Sequence, residues 1–153
     1  MKPIQQFASY TLGIILVLCT LILVSCDNDD DDMPDNLVQF NDIAINGMEE
    51  VPSNNSTATG TFNGTYNKDT KILTYDLTFS GITPTNMHFH KGAPGVSGGV
   101  VIGIGEAPYS SPISGSTPAL TDEQEADLLA GNWFVNIHSA QFPPGEIRGQ
   151  VVQ

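Results

Sequence analysis

The stretch from Ile72 to Ile82, ILTYDLTFSGI, constrains the fold more than any other part of the chain. Its large apolar residues occupy every second position: Leu73, Tyr75, Leu77 and Phe79. This period is that of a β-strand with one buried face and one solvated face. The chain is therefore expected to build a sheet that covers a hydrophobic core on one side.

Other short segments also have strand character. They are residues 38–45, 58–67, 86–90, 99–105, 132–140 and 145–153. The proline-rich segment 106–119 is predicted to be a loop. Because no βαβ alternation is present, the sequence predicts an all-β fold, an antiparallel β-sandwich or flattened barrel of about seven or eight strands.

A single short helix is predicted at residues 121–130, TDEQEADLLA. Thr121 is in the N-cap position and Gln124 follows three residues later, which is the pattern of a capping box. A helix of this length is unstable alone. We expect Leu128 and Leu129 to attach it to the sheet.

The N-terminal segment differs from the rest of the chain. Residues 12–24, LGIILVLCTLILV, are apolar, but the run is shorter than the roughly 20 residues that span a bilayer. It ends in LVSC, and this ending resembles a bacterial lipoprotein signal, in which the cysteine is acylated, for example with palmitate. Residues 1–25 are therefore predicted to be a lipoprotein signal peptide, with Cys26 as the lipid site. An ordinary signal peptide or a short membrane anchor is the alternative.

Residues 26–37 follow with an acidic run, CDNDDDDMPDN, and are predicted to form a disordered tether. In some Gram-negative groups such a run resembles a signal for display on the outer surface; a plain solubilising spacer is the other interpretation. The chain is predicted to be exported to the cell envelope and held in the outer membrane by a lipid anchor. Whether it is exposed on the cell surface is left open.

Charge and cysteine content exclude several classes of function. The chain has 17 acidic and 5 basic residues and a net charge of -12, which disfavours nucleic acid as a partner. Cys19 lies in the apolar run and Cys26 is the predicted lipid site. The predicted domain, residues 38–153, thus has no thiol for a disulfide, a nucleophile or a cysteine-type zinc site.

The three histidines have a parity that suggests a site. His88 and His90 share one strand face, while Phe89 points oppositely, toward the core. His138 lies opposite the core candidates of its own strand, which are Trp133, Val135 and Ile137. If the two strands are neighbours, three imidazoles converge and can bind zinc or copper with a fourth position open. Alternatively, the histidines hydrogen-bond to loops and maintain a polar face.

Glu146 and Arg148 form a second polar pair, in the segment GEIRG. Their spacing places them on one face of a strand. One interpretation is an anion or partner contact beside the histidines. The other is a salt bridge or cross-strand pair, worth at most about 1 kcal/mol when exposed.

Three segments in this order resemble the CHRD domain, a family named from chordin: NGMEEVPSNNSTATGTF, HFHKGAPGVSGGVV and LTDEQEADLLAGNWFVNIHSAQFPPGEIRGQV. The resemblance extends from about Phe40 to Val152. It implies a domain type whose microbial members are commonly secreted or lipid-anchored. In chordin the context is the binding of extracellular growth factors, a role that is not transferred to a bacterial-type lipoprotein.

A narrower resemblance concerns copper/zinc superoxide dismutase. It implies copper ligation by His88, His90 and His138, with Arg148 as an anion guide. The chain lacks a fourth histidine to bridge two metals and a disulfide pair. These departures favour a mononuclear copper or zinc site over dismutase activity.

The first functional hypothesis is a non-enzymatic binding or interaction module at the cell envelope, with an unknown extracellular or envelope ligand. The alternative is a three-histidine copper- or zinc-binding protein. An enzyme of the dismutase type ranks third, and no catalytic residue is assigned.

Overall fold

A computed structural model describes residues 34–153, which form eight strands and one α-helix. The strands are β1 (Leu37–Asn46), β2 (Thr59–Asn67), β3 (Ile72–Ser80), β4 (Pro84–Lys91), β5 (Val100–Gly103), β6 (Ile113–Ser116), β7 (Trp133–Ser139) and β8 (Ile147–Val151). The helix, α1, is Asp122–Leu129. The predictions for residues 1–25, and most of the predicted tether, lie outside the described residues.

All eight strands belong to one antiparallel sheet, in the order β5-β4-β7-β8-β1-β2-β3-β6. The sheet curls so that strands far apart in this order face each other. The ring of Phe89 on β4 lies 5.4 Å from that of Tyr75 on β3 and 5.7 Å from that of Phe62 on β2. The predicted all-β antiparallel fold is confirmed, as a half-barrel whose two sides enclose the core.

The core follows the period of two that the sequence shows. Leu73, Tyr75 and Leu77 of β3 are buried, as are Phe89 and Trp133. Burial of one large apolar side chain contributes roughly 1.5–3 kcal/mol. With no disulfide in this part of the chain, these contacts are the main source of stability.

The predicted helix is present, with one correction. Thr121 accepts a hydrogen bond from the Gln124 N–H, and the Gln124 side chain accepts one from the Thr121 N–H, so the capping box is confirmed. Leu128 is fully buried. Leu129 was expected to join it in the core, but it is 37% exposed because consecutive residues of a helix point about 100° apart.

The segment predicted to be a loop, residues 106–119, contains strand β6. It pairs with β3, placing Ile113 opposite Leu77 and Ser116 opposite Thr74. The four residues of β6, ISGS, are too few to show a clear alternation. Their strand conformation comes from backbone pairing with the edge of β3, a tertiary contact that the local sequence does not encode.

Within residues 34–153, none of the helices has the length and apolar character needed to traverse a bilayer. The described part of the chain therefore contains no helical membrane span.

Candidate metal centre

The pairing of β4 with β7 brings the three histidines together. In the register of these strands, His88 lies opposite Asn136, and Asn86 lies opposite His138. Residues that face each other in this way project from the same side of the sheet. The condition set by the sequence, that the two histidine strands be neighbours, is met.

The imidazoles form a compact cluster. Their ring centroids are 5.5 Å apart for His88 and His90, 5.1 Å for His88 and His138, and 5.8 Å for His90 and His138. The Nδ1 atom of His88 lies 3.2 Å from the Nε2 atom of His138. One ring nitrogen from each histidine can be chosen so that all three lie within 4.8 Å of one another.

Two backbone carbonyls fix the tautomers of two of these rings. The Nδ1 atom of His90 is 3.0 Å from the Gly98 carbonyl oxygen, and that of His138 is 2.9 Å from the Pro143 carbonyl oxygen. A carbonyl oxygen can only accept a hydrogen bond, so each Nδ1 carries the proton. In the neutral rings the lone pair is then on Nε2, and such a carbonyl partner is typical of metal-binding histidines.

The Nε2 atom of His90 is buried, and no protein group within residues 34–153 hydrogen-bonds to it. A buried acceptor without a partner is unfavourable. Burial lowers the pKa of His90, an effect that the Gly98 hydrogen bond opposes, and burial followed by the charge of His138 lowers the pKa of His88. Both shifts favour the neutral ring, the form that binds metal ions.

The arrangement fits a four-coordinate ion. Two nitrogens bound to one tetrahedral zinc at about 2.0–2.1 Å lie about 3.4 Å apart, close to the 3.2 Å between His88 and His138. The ligand atom of His90 lies within 4.8 Å of the other two. Three imidazole ligands suit zinc or copper, and they leave one position for water or another ligand.

A layered arrangement of side chains supports His90. Its ring stacks on that of Phe134, with centroids 5.0 Å apart and planes at 11°. The guanidinium carbon of Arg148 lies 3.6 Å from the centroid of the same Phe134 ring. Phe134 and Arg148 lie on the same side of the sheet as the histidines, yet both are buried.

Glu146 and Arg148, the predicted polar pair, contact different segments. The Glu146 carboxylate accepts a 2.6 Å hydrogen bond from the Ser56 hydroxyl. The Arg148 guanidinium donates to the carbonyl oxygens of Ala93 and Val96 and to the Gln150 side chain. Arg148 is only 2% exposed, so its environment is the interior beneath the loop that follows β4.

Sequence reasoning missed a partly buried polar contact between Asn136 and Glu50. The Asn136 side-chain NH₂ donates to the Glu50 carboxylate at 2.7 Å. Burial raises the pKa of Glu50, while the Asn136 hydrogen bond and the charge of Arg148 act in the opposite direction. Gly145, at φ 146°, packs against this amide, and a Cβ atom there would lie 2.7 Å from its atoms. The three residues belong to the sequence segments EVP, VNIH and GEIRG, and the contact could have been sought where these segments meet.

Fold and site together define a class of protein: an all-β domain with a three-histidine cluster on the outer face of its sheet. The profile of the CHRD domain matches residues 42–151. The chain belongs to the CHRD domain family, as its motifs predicted. No curated protein and no solved structure matches the chain significantly, and none of these comparisons supports the resemblance to superoxide dismutase.

Proposed function

We propose that this CHRD domain is a non-enzymatic binding module whose ligand is a copper or zinc ion held by His88, His90 and His138. The observation that carries the proposal is the buried, unpartnered Nε2 atom of His90, next to two further imidazoles. Loop hydrogen bonds alone account for one nitrogen of His90 and one of His138. They leave the remaining lone pair of His90 without a partner, which a metal ion would supply.

The charge of the chain supports a cationic ligand. Lys71 and Lys91 form ion pairs with acidic residues of α1, and the Lys68 amine donates to the Asp35 carbonyl oxygen. Arg148 is buried beneath a loop. With the basic side chains of residues 34–153 engaged in this way and a net charge of -12, the chain attracts cations.

The orientation of Arg148 argues against the dismutase alternative. An anion guide presents its guanidinium to the open position of the metal. Here the guanidinium donates to the carbonyl oxygens of Ala93 and Val96, at 3.2 and 3.0 Å. The proposal therefore includes binding and no turnover.

We propose in addition that the chain is exported and attached to the outer membrane through acylated Cys26. The support is the apolar run of residues 12–24 and the LVSC segment that ends it. Strand β1 begins at Leu37, so the acidic residues 27–36 would separate the domain from the lipid. Display on the outer surface is a further part of this proposal and rests on the acidic run alone.

The test of metal binding uses the purified full chain with an affinity tag that lacks histidine, because the chain itself has only 3. The chain is loaded with copper(II) or zinc(II), desalted and subjected to elemental analysis. We expect about one ion per chain for a single three-histidine site. His88→Ala and His138→Ala should retain much less of this ion after desalting because one ligand is lost, whereas Asn86→Ala, a control on the same strand face, should retain it. A wild-type chain that retains neither ion contradicts the proposal.

A further inference from the structure

The loop between β4 and β5, residues 92–99, lies beside His90 and supplies the carbonyl that orients its ring. Gly98 accepts from the His90 ring at 3.0 Å. Gly98 also lies against the preceding strand: a Cβ atom at this position would be 1.5 Å from the Lys91 carbonyl oxygen. The carbonyl that holds His90 thus depends on how closely the loop folds back on β4.

Arg148 is the side chain that holds this loop from below. Its guanidinium donates to Val96 at 3.0 Å and to Ala93 at 3.2 Å. These two residues also form a turn of their own, in which the Val96 N–H donates to the Ala93 carbonyl oxygen at 2.9 Å. One planar guanidinium therefore binds both ends of the turn that leads into Gly98.

The other end of the loop is fixed by Gln150, which accepts a 2.6 Å hydrogen bond from Arg148. The Gln150 amide donates to the Gly92 carbonyl oxygen at 2.8 Å. The Oε1 atom of Gln150 thus binds the guanidinium, and its Nε2 atom binds the loop. Arg148 and Gln150 thus hold the loop at Gly92, Ala93 and Val96.

Arg148 also reaches His90 through Phe134. The guanidinium carbon lies 3.6 Å from the centroid of the Phe134 ring, and the same ring stacks nearly parallel on His90. A guanidinium over an aromatic ring is attracted by the negative charge of the ring face. The residue therefore constrains the His90 ring by two routes, the Gly98 carbonyl and the Phe134 ring.

We infer that Arg148 is the positioning residue of His90, holding residues 92–98 so that the Gly98 carbonyl keeps the proton on Nδ1 and leaves Nε2 for the metal. The role of the residue in metal binding rests on the proposed function. The effect of Arg148 on the His90 tautomer is independent of metal binding. The positioning role of Arg148 and the proposed metal site can therefore be tested separately.

The experiment measures the His90 tautomer in the metal-free full chain, by ¹⁵N chemical shifts of the ring at about pH 8, where imidazole is neutral. It compares the wild type with Arg148→Met, which keeps an apolar stem, and with Gly98→Ala, which displaces the carbonyl and leaves Arg148 in place. Lys71→Met is the control for removal of a cation far from the loop. The same proteins are titrated with copper(II) and with zinc(II).

We expect a single Nδ1–H tautomer in the wild type and in Lys71→Met, and a mixture of tautomers in Arg148→Met and Gly98→Ala. Copper affinity in these two variants should fall about 10–100-fold, the usual effect of losing a partner of a metal-binding histidine. If Arg148→Met does not fold, Arg148→Lys takes its place, because an ammonium cannot donate in one plane to both carbonyls.

A wild-type tautomer and wild-type copper affinity in a folded Arg148 variant would overturn the inference. A wild-type chain that binds neither copper nor zinc overturns the proposed function instead. In that case the ¹⁵N chemical shifts of the His90 ring alone test the role of Arg148. A mixture of tautomers in the Arg148 variant supports this role, and an unchanged tautomer contradicts it.

Discussion

The Nδ1 atom of His88 lies 3.2 Å from the Nε2 atom of His138, although the two residues are 50 positions apart in the chain. The Pro143 carbonyl places the His138 proton on Nδ1. The His138 Nε2 atom can then only accept, so without metal the His88 Nδ1–H donates to it. The His88 Nδ1 proton therefore lies between the two nitrogens that would bind a metal ion. Protonation of the rings and metal binding should compete for the same nitrogen atoms.

The stability of the metal-free chain should depend on the protonation of His88 and His90. Burial lowers the pKa of both below the ordinary 6.5 in the folded domain, whereas in the unfolded chain it stays near 6.5. As the pH falls below about 6.5, the unfolded chain binds more protons than the folded one. The free energy of unfolding, from urea denaturation, should therefore be lower at about pH 5.5 than at about pH 8.

The control for this effect is a chain with His88→Gln and His90→Gln. Because glutamine does not titrate, its loss of stability between the same two pH values should be smaller than that of the wild type. An equal loss in both proteins would mean that other groups cause the pH dependence.

Leu128 and Leu129 offer a matched pair for testing how α1 is attached. Leu128 is fully buried, and Leu129 is 37% exposed. Leu128→Ala should lower the free energy of unfolding by about 2–5 kcal/mol through lost burial and a cavity, and Leu129→Ala by less than about 1 kcal/mol. Similar losses from the two substitutions, measured by urea denaturation, would contradict the packing described here.

The capping box at the start of α1 predicts a smaller effect. Thr121 accepts from the Gln124 N–H at 3.2 Å. Thr121→Ala should cost about 1 kcal/mol, because a helix N–H loses its partner. Thr83→Ala, the same change at an exposed position outside the helix, is the control for unfolding measurements and should cost less.

The two cysteines separate the lipoprotein proposal from a plain signal peptide. Cys26→Ser should abolish incorporation of labelled fatty acid in growing cells and release the chain from the membrane fraction. Cys19→Ser, within the apolar run, should leave both unchanged because Cys19 is removed with the signal. Undiminished labelling of Cys26→Ser is the result that counts against the proposal.

Much of the fold follows from the period of two in the sequence. It predicted the buried face of β3, the inward direction of Phe89 and the shared face of His88 and His90. Side-chain period does not specify which strands pair, so it could not show that β4 lies beside β7. It also missed β6, because the four residues ISGS are too few to alternate clearly and acquire strand conformation from their neighbour.

The supporting residues of the site were harder to predict for a different reason. Phe134, Asn136 and Arg148 lie on the side of the sheet that carries the histidines, which in an isolated strand would face solvent. All three are buried, because loops return over that face. How a loop folds back depends on contacts such as that between Arg148 and Val96, which join parts of the chain far apart in sequence.

Three imidazoles that bind one metal ion can be observed directly by spectroscopy. The most direct measurement is X-ray absorption spectroscopy of the zinc-loaded full chain, together with electron spin resonance of the copper(II)-loaded chain. We predict three imidazole nitrogens at about 2.0–2.1 Å from zinc, nitrogen hyperfine coupling on copper, and loss of one imidazole in His90→Ala. A bound ion with only oxygen ligands, or a spectrum unchanged by His90→Ala, would contradict the claim.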